Sequence, residues 1–528
     1  MWLGWTPRLF EFTLLFVFVP LLVMDEDMRQ KKKSVWKVFI NFYLAFFWWN
    51  LFCTWWVANT YSGTHDVSSI VAGALANILN PLLMCIPIFF YLRTRKKFGW
   101  KAGLISLPFF WMCFEWLHLN WELAWPWLNL GNGLAEYPQF IQWYEFTGTF
   151  GGTLWIWMVN ILIYIFFFTN LVQTNKIQRW IYVASSILIP VVISEILFAI
   201  NNPALISVKK KSIVIVQPNI DPYNTKFDFS TLDEQLKTLF TLSSQQSDSS
   251  TDYIAWPETA IPQGVLLNNL ENDPSIKKIK KFLHAYPKSK LVTGFSSYKY
   301  YDSQQTITAR EDGQGGFYDA FNSAIQLDTS VNEQIYHKSK LVVGVECVPY
   351  PGLFKYLEPL LVQFGGISVS LGKQEHRSVF YSDDSTGVAP VICYESIFGD
   401  YCTEYIRRGA NFIFILTNDG WWGNTAGHIQ HERYAALRAI ETRRFVIRSA
   451  NTGTSCVINS RGEISNETEY WKPAAIRTEL PVLKGETFYV KYGDYIAQFA
   501  LGFSALLLIS TFFYNKKNGV TELNSERN

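Results

Sequence analysis

The chain has 528 residues, with 46 Lys and Arg against 44 Asp and Glu, and a formal net charge of +2. A chain this close to neutral lacks the basic excess of a nucleic-acid-binding protein. Its seven cysteines include no CxxC pair, which argues against both a disulfide framework and a zinc knuckle. Charged residues are only 17% of the chain and cluster between about 205 and 490, so a membrane part and a soluble part are predicted.

Seven apolar stretches are long enough to be membrane-spanning helices. A helix needs about 20 mostly apolar residues to cross a bilayer, because its backbone groups must be hydrogen-bonded internally in lipid. The seven stretches lie near residues 8–24, 35–57, 67–91, 102–118, 143–171, 180–200 and 494–514.

The distribution of basic residues predicts the orientation of these spans. The loops near 58–66 and 119–142 contain no Lys or Arg. By the positive-inside rule, the loops that do carry basic clusters stay in the cytoplasm. The N-terminus and the large segment 201–493 are therefore expected on the opposite side of the membrane. The basic clusters lie at 29–37, 93–101, 176–179 and 516–517.

From residue 212 the pattern changes to short β-rich runs that end in polar residues, among them SIVIVQPNI, KLVTGFSSY and NFIFILTNDGWW. Helical stretches such as 231–246 and 428–443 lie between these runs. Near-continuous apolar strands interleaved with helices indicate an α/β domain whose sheets are covered. The predicted fold is therefore a multi-span α-helical membrane bundle plus an α/β domain.

Three parts are expected along the chain. Residues 1–204 hold six spans, 205–490 form the extracytoplasmic α/β domain, and 491–528 hold the last span and a short cytoplasmic tail. The domain joins helices directly at both ends, without a low-complexity linker, so it is expected to rest on the membrane.

Three chemically useful residues follow predicted strands: Glu258 in AWPETAIP, Lys338 in YHKSKLVVGVE and Cys393 in VICYES. Each alone is more often structural, since a glutamate can cap a turn, a lysine is usually solvated and a cysteine is commonly core. Together they supply a base, a cation and a nucleophile, which suffice for acyl transfer through a thioester. Lys340 in the same stretch is an alternative to Lys338 as the cation.

Two other patterns are alternatives to this set. His428 and His431 have a spacing that suits metal ligands on a helix, but no carboxylate or cysteine nearby in the sequence completes a set. A structural role is therefore preferred, and neither a metal nor a cofactor is expected. Cys347 and Cys402 are alternative thiols, less well placed than Cys393.

Some aromatic and amphipathic segments suggest contact with lipid. Trp121, Trp125 and Trp127 in the loop NWELAWPWLNLGNGL suit an interfacial anchor, or alternatively a lateral lipid-entry site beside the soluble domain. Glu115, in the fourth predicted span, is either functional or part of a buried structural pair. The segment 350–367 is either an amphipathic lid or a helix packed on the domain.

The motifs WPET, K-x-x-LV-x-x-x-E and CYE, which contain the Glu–Lys–Cys set, resemble the carbon–nitrogen hydrolase (nitrilase) superfamily. The flanking helices and the loops WPWLNLG and NDGWWG are similar to its apolipoprotein N-acyltransferase family. This resemblance implies an αββα sandwich outside the inner membrane. It also implies transfer of an acyl chain from a phospholipid, through a cysteine thioester, to the N-terminal amine of a lipoprotein. A membrane-anchored nitrilase-type amidase is the alternative.

The resemblance also assigns roles to individual positions. It implies that Glu258 is the general base, Lys338 the catalytic lysine and Cys393 the nucleophile. Glu346 would position the lysine or the base, while Tyr394 and Glu395 match the residues that follow the nucleophile. The residues expected to bind substrate are aromatic: Phe227, Trp421, Trp422 and Trp127.

Partners and location follow from the same resemblance. It implies a phospholipid acyl donor and a diacylglyceryl apolipoprotein acceptor, with no nucleic acid as a partner. The protein is expected to be a monomer that crosses the bacterial inner membrane several times, with its catalytic domain on the periplasmic side.

Overall fold

A computed structural model describes residues 1–8, 10–59, 67–170, 172–203, 209–350 and 370–514. Most of the segment 350–367, with its predicted lid, lies outside these ranges. Within the described residues, six helices are long and apolar enough to cross a membrane. They are numbered with the shorter α1 that precedes them: α1 (Val19–Gln30), α2 (Val35–Thr54), α3 (Val67–Phe98), α4 (Trp100–Leu119), α5 (Tyr144–Phe168), α6 (Lys176–Ile200) and α12 (Tyr495–Phe513).

The prediction of a first spanning helix over 8–24 is wrong. A 3₁₀ turn, Glu11–Leu15, is followed by α1, which begins only at Val19. Pro20 lies in the first turn of α1, where its missing N–H needs no helical partner, so it favours a helix that starts here.

The chain nevertheless runs the length of the bundle here. Trp5 Nε1 donates to Tyr434 Oη of the α/β domain at 3.1 Å, and Asp25 pairs with Arg95 near the distant end of α3. The predicted position of the N-terminus, on the same side as the domain, agrees with these contacts.

Asn160 of α5 stabilises the break before α1. Its Oδ1 accepts from the backbone N–H of Phe18 and its Nδ2 donates to the carbonyl of Leu14, both at 2.8 Å. Asn160 is fully buried. Backbone groups left unpaired inside a bilayer are costly, so one side chain replaces the helical bonds that this break removes.

The α/β domain contains two sheets. Within the described residues, the larger sheet has the order β14-β1-β2-β4-β6-β5, with β3 on β4 and β7 on β6. Its strands are β1 (Lys210–Gln217), β2 (Tyr253–Ala255), β3 (Ile261–Leu266), β4 (Lys290–Tyr301), β5 (Arg310–Glu311), β6 (Phe317–Leu327), β7 (Gln334–His337) and β14 (Ala474–Pro481).

The second sheet has the order β13-β12-β11-β10-β9-β8. Parallel pairing joins β9, β10 and β11, and these strands are mostly apolar and fully buried, as expected for a sheet covered on both faces. The strands are β8 (Phe380–Tyr381), β9 (Gly387–Ile392), β10 (Ala410–Thr417), β11 (Phe445–Ala450), β12 (Cys456–Ile458) and β13 (Ile464–Ser465).

The sheets stack between two helical layers, which confirms the predicted αββα sandwich. Tyr253 of β2 meets Phe414 of β10 edge-on, with ring centroids 5.7 Å apart. Helices α7 and α8 pack on the larger sheet, and α9 and α10 pack on the smaller one. The domain helices are α7 (Leu232–Gln246), α8 (Pro274–Leu283), α9 (Gly399–Arg407), α10 (Ala426–Thr442) and the short α11 (Phe488–Tyr492).

The bundle and the smaller sheet share one continuous hydrophobic cluster, which extends from Trp111 in α4 to Ile415 in β10. Polar contacts add to this junction. Arg443 Nε, just after α10, lies 2.6 Å from Glu145 Oε2 of α5. Glu115 accepts bonds from Trp111 and Thr153 and from the loop that follows α4, so its contacts favour the structural interpretation.

We expect Asn160→Leu to lower the free energy of unfolding by about 1–3 kcal/mol, because it leaves two buried backbone groups without partners. Thermal unfolding in detergent measures this loss. Met158→Leu is the control, because Met158 lies on the same helix but is exposed. Equal stability of the two variants would contradict the role given to Asn160.

Candidate active site

Cys393 lies at a sharp turn between β9 and a 3₁₀ helix, Cys393–Ile397. Its φ is +50°, in the left-handed region that side chains with a Cβ avoid. Such backbone strain costs about 1–3 kcal/mol and clusters at functional sites. The turn places the thiol at the carboxyl end of a buried parallel strand, where α/β proteins commonly bind their ligands.

The structure brings Lys338 together with two carboxylates. Lys338 Nζ lies 2.9 Å from Glu346 Oε1 and 3.3 Å from Glu258 Oε1. Asn322 Nδ2, from β6, donates to the same two oxygens at 2.8 Å each. Glu346 Oε2 also accepts from the backbone N–H of Val342 at 2.8 Å. The base and the lysine proposed from the sequence are therefore hydrogen-bonded neighbours, and Glu346 contacts the lysine directly.

The charges of this cluster determine its protonation. Burial alone would lower the pKa of Lys338, but Glu346 and Glu258 outweigh it and raise that pKa well above its usual value. Burial, together with the negative charge of Glu258, raises the pKa of the Cys393 thiol, and Lys338 opposes this only in part. The resting site thus pairs a charged lysine with a neutral thiol, so attack by the sulfur requires a base that removes its proton.

Lys340, the alternative cation, points elsewhere. Its Nζ lies 3.4 Å from the carbonyl of Leu119, at the end of α4, and 4.8 Å from the centre of the Phe398 ring. It therefore lies at the junction with the bundle, away from the Glu258 carboxylate.

Glu395 is fully buried and links the lysine segment to the nucleophile turn. Its Oε1 accepts from the backbone N–H of Ser339, next to Lys338, at 2.7 Å. Its Oε2 accepts from the N–H of Ile392, next to Cys393, at 2.9 Å. The hydroxyls of Tyr336 and Tyr401 donate to Oε1 at 2.7 and 2.5 Å. Glu395 therefore holds both segments in register and acts as a positioning residue.

Tyr394 contacts the bundle through its ring and the site through its backbone. Its hydroxyl donates to the carbonyl of Ala124 at 3.0 Å. Its N–H lies in the first turn of the 3₁₀ helix, where backbone donors have no partner within the helix. This N–H can therefore donate to an oxyanion formed on a substrate that reacts with Cys393.

The aromatic residues form two groups. Phe227 stacks on Trp421 at 6.2 Å and is 48% exposed, so these rings lie at an open edge of the domain. Trp422 and Trp127 meet edge-on at 5.4 Å, and both contact Trp56 of the bundle.

The sequence predicts Trp127 at the level of the lipid headgroups. In the structure its ring is only 5% exposed and is packed between the domain and the bundle. It lies 6.1 Å from the ring of Tyr394. The sequence could not indicate this, because the apolar covering of Trp127 comes from the distant residues of α10 and the NDGWWG loop.

A network of buried charged side chains contacts the backbone of Cys393. His431 Nδ1 lies 2.9 Å from Asp419 Oδ1, and its Nε2 lies 3.1 Å from the carbonyl oxygen of Cys393. The other Asp419 oxygen binds Arg448. Burial would raise the pKa of Asp419, but Arg448 and His431 outweigh it and hold that pKa well below its usual value.

This network corrects one point of the sequence interpretation. Ligand atoms of Cys393, Asp419 and His431 lie within 4.8 Å of one another, so the fold supplies the thiol and carboxylate that the sequence around His431 lacks. Both Asp419 oxygens are already bound, and the Arg448 guanidinium occupies the place of a cation. His428 stacks instead on Tyr470 at 4.2 Å. We therefore assign the group to the support of the nucleophile turn.

Sequence reasoning missed two residues, Asn322 and Lys226. Lys226 is buried, donates to the backbone carbonyl of Glu258 at 2.8 Å, and has its pKa lowered by burial to about 8. Its position beside Phe227 was the available signal. The rival thiols have other neighbours: Cys347 Sγ lies 4.0 Å from the carbonyl oxygen of Leu341, and Cys402 Sγ lies 3.9 Å from that of Glu395.

Comparison with known proteins matches most of the chain to two family models. Residues 1–162 match the model of the apolipoprotein N-acyltransferase N-terminal domain, and 213–482 match that of carbon-nitrogen hydrolase. An apolipoprotein N-acyltransferase of Chlorobaculum tepidum is 30% identical over 87% of this chain and 85% of its own. The chain belongs to the apolipoprotein N-acyltransferase family.

Other relatives are more distant. An apolipoprotein N-acyltransferase of Thermotoga maritima is 24% identical over 96% of this chain and 89% of its own. Among solved structures, an amidase mutant from Nesterenkonia sp. AN1, with an acetamide group on its active-site cysteine, is 12% identical. It covers 55% of this chain and 95% of its own, with a TM-score of 0.37. With its six apolar helices, the present chain is a membrane protein of this enzyme family.

We expect Asn322→Asp to slow the alkylation of Cys393 by iodoacetamide about tenfold, because a third carboxylate beside Glu258 and Glu346 disfavours the thiolate. Peptide mass spectrometry at Cys393 measures the rate. Asn332→Asp, a matched change at an exposed position, should leave it unchanged. An unaltered rate in Asn322→Asp would show that the amide does not control the charge of this site.

Proposed function

We propose that the protein transfers an acyl chain from a phospholipid, through a thioester on Cys393, to the N-terminal amine of a diacylglyceryl-cysteine lipoprotein. The observation that carries this proposal is the place of Cys393. It belongs to the apolar cluster shared by the α/β domain and the bundle of apolar helices, and the charges of Glu258 and Lys338, themselves in contact, both act on its thiol. The name shared by the relatives, apolipoprotein N-acyltransferase, supports the same reaction.

The first half of the reaction forms the thioester. Because the Cys393 thiol is neutral at rest, Glu258 takes its proton as the sulfur attacks the ester carbonyl of the phospholipid. Lys338 and the N–H of Tyr394 stabilise the oxyanion of the tetrahedral intermediate; the loss of one such donor typically lowers a rate by about 10²–10³. The intermediate expels the lysophospholipid oxygen, which takes the proton back from Glu258.

The second half transfers the acyl group to the amine. The neutral amine of the lipoprotein attacks the thioester carbonyl, and Glu258 takes a proton from the attacking nitrogen. The intermediate collapses to an amide and expels the sulfur of Cys393, which recovers its proton from Glu258. Hydrolysis is the competing reaction, and the low exposure of Cys393, 9%, supports a site that limits access of water to the thioester.

The orientation and division of the chain are part of the proposal. We infer that residues 1–204 and 491–528 lie in the bacterial inner membrane, and that 205–490 form the catalytic domain on the periplasmic face. The basic clusters at the far ends of the spans support this orientation. We also propose that the enzyme acts as a monomer, since one chain carries the whole Glu258, Lys338 and Cys393 set.

Incubation of the purified protein with a phospholipid should add the mass of one acyl chain at Cys393, and a diacylglyceryl lipopeptide should then remove it as an amide. Intact-mass spectrometry follows both steps. Cys393→Ala should form no adduct, while Cys402→Ala, which changes a buried thiol outside the cluster, should form it normally. Lipopeptide acylation by Cys393→Ala would refute the thioester. Release of the acyl group only to water would favour the amidase alternative.

Protease added to intact spheroplasts should cleave the protein within 205–490, because we place this domain outside the inner membrane. Immunoblots with antibodies against a C-terminal tag follow the fragments. The tag itself should survive until the membrane is opened, since Lys516 and Lys517 place the tail in the cytoplasm. Cleavage of the domain only after lysis would refute the orientation.

A further inference from the structure

A cavity of about 960 Å³ lies between the bundle and the domain, next to the catalytic cluster. On the bundle side it is lined by the loop that follows α4, including Trp121 and Ala124. On the domain side Tyr394, the residue that follows Cys393 in the chain, forms part of the wall. The cavity is therefore adjacent to the nucleophile without being the catalytic cluster itself.

Among the residues that the structure describes, three basic side chains line this cavity: Lys340, Lys373 and Arg377. None of the ion pairs among the described residues involves Lys340; its Nζ instead approaches the carbonyl of Leu119 and the ring of Phe398. Burial lowers the pKa of Lys340 to about 8, and the charges of Arg377 and Lys373 contribute to the shift. Lys340 and Lys373 thus line an open cavity without a carboxylate partner among the described ion pairs, and an anion bound there would stabilise their charge.

The remaining charges of the cavity leave this site open. Arg377 lies flat over the ring of Tyr401 at 3.8 Å, and its Nε is 3.4 Å from Glu404. Two carboxylates also line the cavity, but Glu122 is bound by the backbone N–H of Tyr350, and Glu375 is exposed. Of the cations that line the cavity among the described residues, Arg377 therefore has a carboxylate partner, whereas Lys340 and Lys373 form no ion pair.

The position of Lys340 relative to the membrane indicates which kind of anion the cavity binds. The carbonyl that its Nζ approaches belongs to Leu119, the last residue of the spanning helix α4. The end of a spanning helix lies at the level of the lipid headgroups. The backbone N–H of Lys340 also approaches Glu395, at 3.3 Å, so the same carboxylate that orders the nucleophile turn fixes this cation.

We propose that Lys340, Lys373 and Arg377 bind the phosphodiester group of the acyl donor, a glycerophospholipid. This inference rests on the proposed function and names the part of the donor that the enzyme recognises. Arginine and lysine are the side chains that pair best with phosphate oxygens. The phosphate and the acyl esters share one glycerol, so a phosphate held in this cavity brings an ester to the Tyr394 wall beside Cys393.

The test compares two acyl donors on the same variants. Acylation of Cys393 by a dipalmitoyl phospholipid and by p-nitrophenyl palmitate, which has no phosphate, is followed by intact-mass spectrometry. For Lys340→Gln combined with Lys373→Gln, the phospholipid concentration that gives half-maximal rate should rise about tenfold or more, since each lost contact to a charged group weakens binding by about that factor. The p-nitrophenyl ester should react as with wild type, which also shows that the variant is folded.

Lys237→Gln is the control, because Lys237 is exposed on α7, far from the cavity. Inorganic phosphate supplies a second arm: it should compete with the phospholipid in wild type, but not in the double variant, and should not slow the uncharged ester. Unchanged half-saturation in the double variant, or an equal loss with both donors, would overturn the inference while the proposed function stands. Absence of any adduct from phospholipid on wild type would overturn both.

Discussion

Two segments of the catalytic site meet on one buried carboxylate, that of Glu395. It accepts the N–H groups next to Lys338 and next to Cys393, and two tyrosine hydroxyls complete its bonds. Burying a carboxylate costs free energy unless all its lone pairs accept hydrogen bonds. These hydrogen bonds therefore form or break as a group. The relative positions of lysine and nucleophile therefore depend on an acid that itself has no part in the proton transfers.

The junction between the domain and the bundle surrounds the same site with apolar side chains. One apolar cluster runs from the spanning helices into the smaller sheet, and Trp127 closes it beneath Tyr394. This covering keeps Cys393 nearly out of water and raises the pKa of its thiol, which is why the proposed reaction assigns Glu258 as a base. A lipid ester can reach such a site from the membrane side, whereas water finds little access to a thioester there.

Lys338 and Lys340 show how two similar residues acquire different tasks. Both follow β7 and both are basic, but Lys338 lies between Glu258 and Glu346, while Lys340 lies at the end of α4. The first has its charge fixed by carboxylates, and the second stays without one among the described ion pairs. The proposed division, catalysis for one and phosphate binding for the other, follows from what each contacts.

The sequence by itself determined the division into apolar spans and an α/β domain. It also determined five of the spanning helices before the domain and the one after it. The motifs that carry Glu258, Lys338 and Cys393 were likewise visible in the sequence. Burial periodicity and short motifs are local properties, so they can be read along the chain. Only the tertiary structure decided that the first predicted span is broken before α1 and that Asn160, far along the chain, pairs the backbone groups at the break.

The tertiary structure also decided that Asn322 and Lys226 join the cluster, that Asp419 and Arg448 lie beside His431, and that Trp127 is buried. These contacts join residues that lie far apart in the chain. They arise from the way two sheets stack and from how the domain sits on the bundle, and neither leaves a periodic signal in the sequence.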